Sequence, residues 1–221
     1  MVKIAAFSDT HGQHHDISLR AIPPVDIAIC AGDFEGYNYY TTADFLRWFS
    51  EMTAEHKVLI AGNHDFYPED HSLNGTILEF AHACREYGIT YLEESGIECA
   101  GLKIWGSPYT PPFNDWAYMS DDRDWSVLPP AVDILVTHGP PHGVLDETQE
   151  GRQVGCPRLR DAIEANPPYL HIFGHIHEAY GEAIGVNGVQ YFNVSSVNRR
   201  YCMRPNPVKI IEIDTLILKN R

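Results

Sequence analysis

The chain has 221 residues, of which 44% are hydrophobic and 11% aromatic, and this composition excludes a disordered protein. Its formal net charge of −14 disfavours broad binding along a nucleic-acid backbone, which depends on clustered Lys and Arg. Single α/β domains reach this length, so we expect one domain that spans residues 1–221.

Five predicted strands each run directly into side chains that bind metal ions. In chain order, the segments after these strands are Asp9-Thr10-His11, Gly32-Asp33, Gly62-Asn63-His64-Asp65, His138-Gly139 and Gly174-His175-Ile176-His177. Open α/β sheets place their ligands at the carboxyl ends of strands. Carboxylate, amide and imidazole donors suit two borderline or hard divalent ions, and two close ions are a device for cleaving phosphoesters. The sequence therefore predicts a dinuclear metal site.

Other predicted elements lie between these segments. Residues 12 to 24 form a polar loop with a helical turn, and apolar spacing near 3.6 predicts helices over 41 to 55, with a Thr cap, and over 75 to 87. Short alternating runs at 89 to 92, 97 to 100 and 102 to 107 predict the start of a second sheet. Residues 108 to 130 form a long loop rich in Pro and aromatic residues. A helix over 157 to 165 precedes strands over 182 to 215, where Asn187-Gly188 predicts a hairpin.

This order of elements predicts the fold class. Strands interleaved with helices, followed by a strand-rich second half, indicate an α/β fold of two packed sheets with helices outside. No apolar run approaches the roughly 18 residues of a membrane helix, and the N-terminus lacks the pattern of a signal peptide. We therefore expect no membrane partner and a cytoplasmic location.

Each candidate metal ligand is weak evidence when taken alone. A single His in a strand is more often a core or surface residue, and an Asp after Gly is usually part of a turn. The combination is more specific, because His175 and His177 follow one strand end, where the turning backbone allows them to reach two neighbouring ions. Asp9 and His11 have the same spacing, and Asp33 supplies a carboxylate able to bridge both ions.

The motifs together resemble the calcineurin-like metallophosphoesterase superfamily over nearly the whole chain. A closer resemblance is to the small metallophosphoesterase-domain proteins of animal brain and their microbial relatives. The phrases that carry it are Ser8-Asp9-Thr10-His11, Ile60-Ala61-Gly62-Asn63-His64, Thr137-His138-Gly139-Pro140-Pro141, Val154-Gly155-Cys156, His175-Ile176-His177-Glu178-Ala179-Tyr180-Gly181, Trp105-Gly106-Ser107-Pro108-Tyr109-Thr110-Pro111 and Phe113-Asn114-Asp115-Trp116. The fold implied is the αββα sandwich of two mixed β-sheets flanked by helices.

The resemblance also implies a role for each matched residue. One metal would be held by Asp9, His11 and His177, and the other by Asn63, His138 and His175, with Asp33 bridging the two. His64 would be the catalytic acid. Some brain-type relatives have glycine at the position of His175, whereas the histidine here implies a complete site.

One motif departs from the protein Ser/Thr phosphatases of the superfamily. Those enzymes carry Gly-Asp-x-x-Asp-Arg-Gly, but this chain has Gly32-Asp33-Phe34-Glu35-Gly36-Tyr37. The Arg that grips a phosphomonoester is missing there, which argues against a protein phosphatase.

Several further residues have two interpretations each. Asp65 either orients His64 or caps the following turn, and Glu178 either supports His177 or is a solvated carboxylate. His14, His15 and His142 are either loop histidines or the edge of the substrate pocket. Within the aromatic loop, we take Asn114 and Trp116 as candidate substrate contacts, because one exposed ring could stack on a nucleobase, although lid packing is the alternative.

The sequence thus predicts a metal-dependent phosphodiesterase with a dinuclear-metal-activated hydroxide and a His general acid. The resemblance implies small phosphodiesters, above all 2′,3′-cyclic nucleotides, as substrates. The net charge of −14 and the absence of a basic run argue against extended nucleic acid. Mn²⁺ is the expected metal, with Fe, Zn, Mg and Co as alternatives. A broader nuclease, a phosphomonoesterase and a catalytically silent scaffold are the competing functions. The sequence carries no signal for an oligomeric state.

Overall fold

A computed structural model describes residues 1–185 and 187–218, and it confirms the predicted sandwich of two mixed sheets. The first sheet has the strand order β11-β1-β2-β3-β4. Its strands are β1 (Val2–Phe7), β2 (Val25–Ala31), β3 (Ala54–Ile60), β4 (Thr90–Tyr91) and β11 (Lys209–Ile213). The first four strands are parallel, and β11 is antiparallel to β1.

The second sheet has the strand order β5-β6-β7-β8-β10-β9. Its strands are β5 (Ser95–Cys99), β6 (Leu102–Ser107), β7 (Ile134–Thr137), β8 (Leu170–Phe173), β9 (Gly181–Ile184) and β10 (Gln190–Asn193). The four central strands are parallel, and β5 and β9 are antiparallel edges.

Helices cover the outer faces of both sheets. They are α1 (Tyr39–Ser50), α2 (Phe66–Leu73), α3 (Ile77–Glu86) and α4 (Pro157–Ala165). A short helix, α5 (Thr215–Leu218), follows β11, and 3-10 turns lie at His14–Asp16, Leu19–Ala21, Trp125–Val127 and His177–Ala179. None of the helices in the described ranges has both the length and the apolarity that crossing a membrane requires.

Three hydrophobic clusters correspond to the interfaces between these layers. Ile4, Ile29, Ile104 and Ile172 belong to the cluster between the two sheets. A second cluster joins the outer face of the first sheet to α1 and α3, and a third joins the outer face of the second sheet to α4. The sequences of the parallel strands are nearly continuous apolar runs because both faces of these strands are buried.

Most predicted elements are confirmed, and three expectations need correction. The helix predicted over 41 to 55 begins at Tyr39, because the Asn38 side chain accepts the amides of Tyr40 and Thr41 and so replaces the predicted Thr cap. Residues 54 and 55 belong to β3 rather than to that helix. The run at 89 to 92 joins the first sheet, not the second, since β4 pairs with β3. The short helix α2 was not predicted.

The predicted hairpin is confirmed, because β9 and β10 are antiparallel neighbours on either side of Asn187-Gly188. Residue 186, which the predicted strands over 182 to 215 included, lies outside the described residues.

The carboxyl ends of the parallel strands of both sheets meet at one edge of the sandwich. Ser8, just after β1, donates its amide to the carbonyl of Val194 beyond β10. The His138 ring, just after β7, lies 2.9 Å from the carbonyl oxygen of Ala31 at the end of β2. These contacts between the sheets bring all five predicted ligand segments to one place.

Candidate metal centre

The first cluster of ligand atoms consists of Asp9, His11 and His177. The Nε2 atoms of His11 and His177 lie 3.2 Å apart, and His177 Nε2 is 3.4 Å from Asp9 Oδ1. All three side chains are buried, and their ligand atoms lie within 4.8 Å of one another. The family resemblance implies that this set holds one metal.

The second cluster consists of Asp33, Asn63, His138 and His175. His138 Nε2 lies 2.8 Å from Asn63 Oδ1 and 3.2 Å from Asp33 Oδ1, and His175 belongs to the same group of close ligand atoms. The other oxygen of Asp33, Oδ2, lies 3.7 Å from His11 Nε2. Asp33 therefore faces both clusters, as a bridging ligand must.

Several of these residues have a left-handed backbone. The φ angles of Asp9, His11, Asp33 and His175 are 53°, 43°, 55° and 69°. Residues other than Gly rarely adopt positive φ, and such strain concentrates at functional sites that the surrounding structure holds in place. The sharp turn at each strand end aims successive side chains at one centre instead of at alternate faces of a sheet.

A glycine supports this close packing. A Cβ atom at Gly174 would lie 2.1 Å from both Asp9 Oδ2 and Ser8 Oγ, so only glycine fits between the end of β8 and the first cluster.

Burial and neighbouring charges set the protonation states of the donor imidazoles in opposite directions. Burial and the charge of His138 lower the pKa of His175, so its imidazole is neutral with a lone pair available. Burial disfavours the charged form of His138, but the Asp33 carboxylate outweighs it and raises the pKa of His138 to about 9. A proton on His138 then occupies, beside Asp33, the position that a divalent ion would take.

We expect metal uptake at the second cluster to release a proton. Because the pKa of His138 is about 9, the imidazole is protonated at neutral pH and must lose that proton to bind a cation. Binding at about pH 7 should release roughly one proton from His138, and affinity should fall as the pH is lowered. Calorimetric titration in buffers with different ionisation enthalpies measures this release. A proton count that does not decrease between about pH 7 and about pH 10 would contradict the assignment.

Hydroxyl groups that were not predicted from sequence hold Asp9 in place. Ser195 Oγ donates to Asp9 Oδ2 at 2.7 Å, and Ser8 Oγ donates to the same oxygen. The backbone amide of His175 donates to both carboxylate oxygens. Ser195 lies beyond β10 and far along the chain from Asp9, so no local spacing could have identified it.

Asp65 has a different role from the predicted one. Its carboxylate accepts the backbone amides of Asp33, Gly36 and Gly62 at 2.8 Å each. Among the described residues, no hydrogen bond or ion pair joins this carboxylate to the His64 ring, and it accepts no amide of α2. Asp65 is a positioning residue that ties the loop after β3 to the loop carrying Asp33, a role that differs from both interpretations offered by the sequence, including the one that made it the catalytic partner of His64.

His64 and Trp116 lie side by side at the rim of a cleft of about 610 Å³, whose floor includes Asp33, Asn63, His175 and His177. The ring centroid of His64 is 4.6 Å from that of Trp116 and 4.9 Å from that of His11. The backbone amide of His64 donates to Asp33 Oδ1 at 2.8 Å. The imidazole is thus held next to the metal ligands and remains half-buried at the opening.

Two of the three candidate substrate contacts do not belong to the lining of this cleft. Asn114 and His142 are exposed and are not among the residues that line the cleft, whereas Trp116 is. His14 and His15 also lie away from the cleft, since both rings contact Asp44 on α1. Glu178 lines the cleft and accepts the amide of Gln149, which places it in the wall rather than behind His177.

The cleft also contains residues that were not predicted from sequence. Arg199, Arg200 and Tyr201 form part of its wall. The Tyr201 ring lies 4.8 Å from the His11 ring and 5.1 Å from the His177 ring, and its backbone is left-handed with φ of 56°. The nearby Arg204 donates to the carbonyl oxygen of His177 at 2.6 Å. The consecutive arginines 199 and 200 were the only available sequence signal in this segment.

Comparisons with known proteins identify the family of the chain. The calcineurin-like phosphoesterase family matches residues 2–179. Human metallophosphoesterase domain-containing protein 1 is 32% identical over 96% of this chain and 71% of that protein. UPF0046 protein T07D4.2 of Caenorhabditis elegans is 31% identical over 81% of this chain, which spans only 52% of that relative.

Solved structures share the fold. The protein TT1561 of Thermus thermophilus superposes with a TM-score of 0.59 at 13% identity, and the match covers 96% of this chain and 98% of that one. This similarity concerns the arrangement of the sheets and helices alone.

Proposed function

The chain belongs to the calcineurin-like phosphoesterase family and is a metal-dependent phosphoesterase; on that premise we propose that it hydrolyses small phosphodiesters, with 2′,3′-cyclic nucleotides as its substrate class. The observation that carries this proposal is one cleft lined by candidate ligands from both clusters, with His64 and Trp116 side by side in the same lining. The candidate ligands in the lining are Asp33, Asn63, His175 and His177.

Each ligand cluster would hold one divalent ion. Asp9, His11 and His177 would hold the first, Asn63, His138 and His175 the second, and Asp33 would contact both. Two such ions supply hydroxide near neutral pH and neutralise charge on the phosphoryl oxygens. We propose Mn²⁺ as the preferred ion, because the donor set of oxygen and imidazole includes no thiolate to favour zinc.

His64 would protonate the leaving oxygen. A ribose alkoxide is a strong base, so its departure needs a proton from a nearby acid. The imidazole of His64 lies beside the His11 ring and is half-buried at the rim, within reach of a phosphoester bound over the clusters. The hydrogen bond from the His64 backbone amide to Asp33 Oδ1 keeps the proposed acid close to the proposed bridging ligand.

The walls of the cleft support a small substrate with an aromatic group. Trp116 and Phe113 pack edge to face with centroids 5.5 Å apart, and Tyr201 stands in the same wall. Base stacking on an aromatic side chain contributes about 1–3 kcal/mol. Arg199 and Arg200 add positive charge to the wall of an otherwise acidic protein, and the volume of about 610 Å³ suits one nucleotide.

The test of the proposal is a comparison of substrates on metal-stripped protein. Chelation should abolish turnover, and added Mn²⁺ should restore more activity than Mg²⁺ or Zn²⁺. The Mn²⁺ form should cleave 2′,3′-cyclic nucleotides faster than nucleoside monophosphates and linear oligonucleotides. Full turnover of a diester after exhaustive chelation would exclude metal catalysis. A higher kcat/KM for monophosphates would favour the phosphomonoesterase alternative, and a higher one for oligonucleotides the nuclease.

Replacement of Trp116 by alanine tests base recognition. Loss of one stacking ring should raise the KM for a cyclic nucleotide by roughly 5- to 150-fold, from a stacking energy of about 1–3 kcal/mol. Trp116→Phe should retain most of the affinity. Val127→Ala, an exposed apolar residue of the same loop outside the cleft, is the matched control. Steady-state kinetics with measured metal content provide the readout, and an unchanged KM in Trp116→Ala would refute stacking at this ring.

A further inference from the structure

A separate cluster of possible metal ligands lies on the outside of the first sheet. His14 and His15, in the 3-10 turn after β1, both direct Nε2 at the same oxygen of Asp44 on α1. The distances from Asp44 Oδ2 are 3.1 Å to His14 Nε2 and 2.9 Å to His15 Nε2. All three ligand atoms lie within 4.8 Å of one another.

These distances fit three donors around one small cation. Zinc binds imidazole nitrogen and carboxylate oxygen at about 2.0–2.2 Å, so two donors on one tetrahedral ion lie roughly 3.4 Å apart. The two separations from Asp44 Oδ2 are shorter than that by only a few tenths of an ångström. The His15 and Asp44 side chains are both substantially exposed, so small rotations of them would lengthen these separations to the value that a tetrahedral zinc ion requires.

The cluster is held in position by its surroundings. The His14 ring is buried, and its centroid lies 5.4 Å from that of Phe45 and 5.3 Å from that of Trp48. The other oxygen of Asp44, Oδ1, accepts from Arg47 at 3.3 Å, which leaves Oδ2 for the two imidazoles. Burial lowers the pKa of His14, so its imidazole is neutral at physiological pH.

We propose that His14, His15 and Asp44 form a third metal site, separate from the dinuclear centre, that binds Zn²⁺ or a similar borderline ion. Two imidazole nitrogens and one carboxylate oxygen are the donors of a zinc site with an open position, and the exposed side of His15 admits both ion and water. A donor set in which imidazole predominates binds Mn²⁺ more weakly than zinc.

An ion at this site would tie two parts of the fold together. His14 and His15 belong to the loop that begins with the ligand His11, and Asp44 lies in the middle of α1. Zinc would therefore clamp the loop behind the first ligand cluster to the helix that covers the first sheet.

The test is the stoichiometry of zinc alone. Protein stripped of metals and equilibrated with micromolar Zn²⁺ should retain about three ions per chain, whereas His15→Ala should retain about two. His15 is exposed, so its removal does not threaten folding. The control is His82→Ala, because His82 is an exposed histidine that also has a carboxylate, Glu86, 3.9 Å away. This control should retain about three ions.

A crystal soaked in Zn²⁺ gives a second readout, since an anomalous peak should lie about 2.1 Å from the Nε2 atoms of His14 and His15. The proposal is overturned if His15→Ala retains as many zinc ions per chain as the wild-type protein, whatever the wild-type number is. It is equally overturned if His82→Ala loses the third ion while His15→Ala does not. None of these outcomes depends on phosphodiesterase activity.

Discussion

Asp33→Ala is expected to lower kcat by at least about 10³-fold, because loss of one preorganised electrostatic group costs roughly 10²–10³-fold and Asp33 serves both clusters. Its two oxygens lie 3.2 Å from His138 Nε2 and 3.7 Å from His11 Nε2, so a single truncation removes a donor from each proposed ion. The amide of His64 also loses its acceptor. The change therefore reaches both proposed ions and the proposed acid at once.

Asn63→Ala is the matched comparison for this prediction. Asn63 supplies one neutral oxygen, 2.8 Å from His138 Nε2, to the second cluster alone. Its loss should reduce activity by about 10- to 100-fold, and added metal should restore part of it. Activity at saturating Mn²⁺, with bound metal measured by elemental analysis, distinguishes the variants. Equal residual rates in the two variants would contradict the bridging assignment of Asp33.

The clustering of the candidate metal ligands could be predicted from the sequence because their signals are local. Each follows an apolar run that forms a buried parallel strand, and parallel strands end at the same edge of a sheet. His175 and His177 illustrate the limit of that reasoning. Their spacing would place them on opposite faces of a regular strand, and only the left-handed backbone at His175 brings both to one centre.

Residues whose roles depend on distant partners could not be assigned in the same way. Asp65 is adjacent to His64 in sequence, yet its carboxylate reaches across to amides of the loop that carries Asp33. Ser195 and Tyr201 come to the site from the segment after β10, and only the packing of the two sheets brings that segment near His11. The position of Asp65 next to His64 in the sequence therefore suggested the wrong partner for its carboxylate. Ser195 and Tyr201 were not predicted because they lie far along the chain from the residues they contact.

The sheet to which β4 belongs and the helix α2 were not predicted correctly, for related reasons. The strand β4 is two residues long, and its place in the first sheet is fixed by pairing with β3 rather than by its own pattern. The helix α2 directly follows the ligand loop and contains Pro68, so apolar spacing gave no signal for it.

His64→Asn should lower turnover of a cyclic nucleotide by roughly 10²–10⁴-fold while leaving the bound metal nearly unchanged. The ring lies against Trp116 and His11 at the rim, and the residue contacts the clusters through its backbone amide, which the substitution preserves. The expected loss therefore comes from the missing proton donor. A ribose alkoxide needs that proton, whereas a nitrophenolate leaves readily without it, so nitrophenyl diesters should be affected much less.

The dependence on the leaving group separates a general acid from a metal ligand, and His177→Asn supplies the comparison. His177 Nε2 lies 3.2 Å from His11 Nε2 and 3.4 Å from Asp9 Oδ1, so its loss should reduce bound metal and depress both classes of substrate together. His64 is also close enough to His11 and Asp33 to contribute a ligand atom to a cation. If His64→Asn loses an ion and slows both substrates equally, His64 is a ligand, and the proton must come from another group in the cleft. Retained metal together with a selective loss on alkoxide leaving groups would instead establish His64 as the acid.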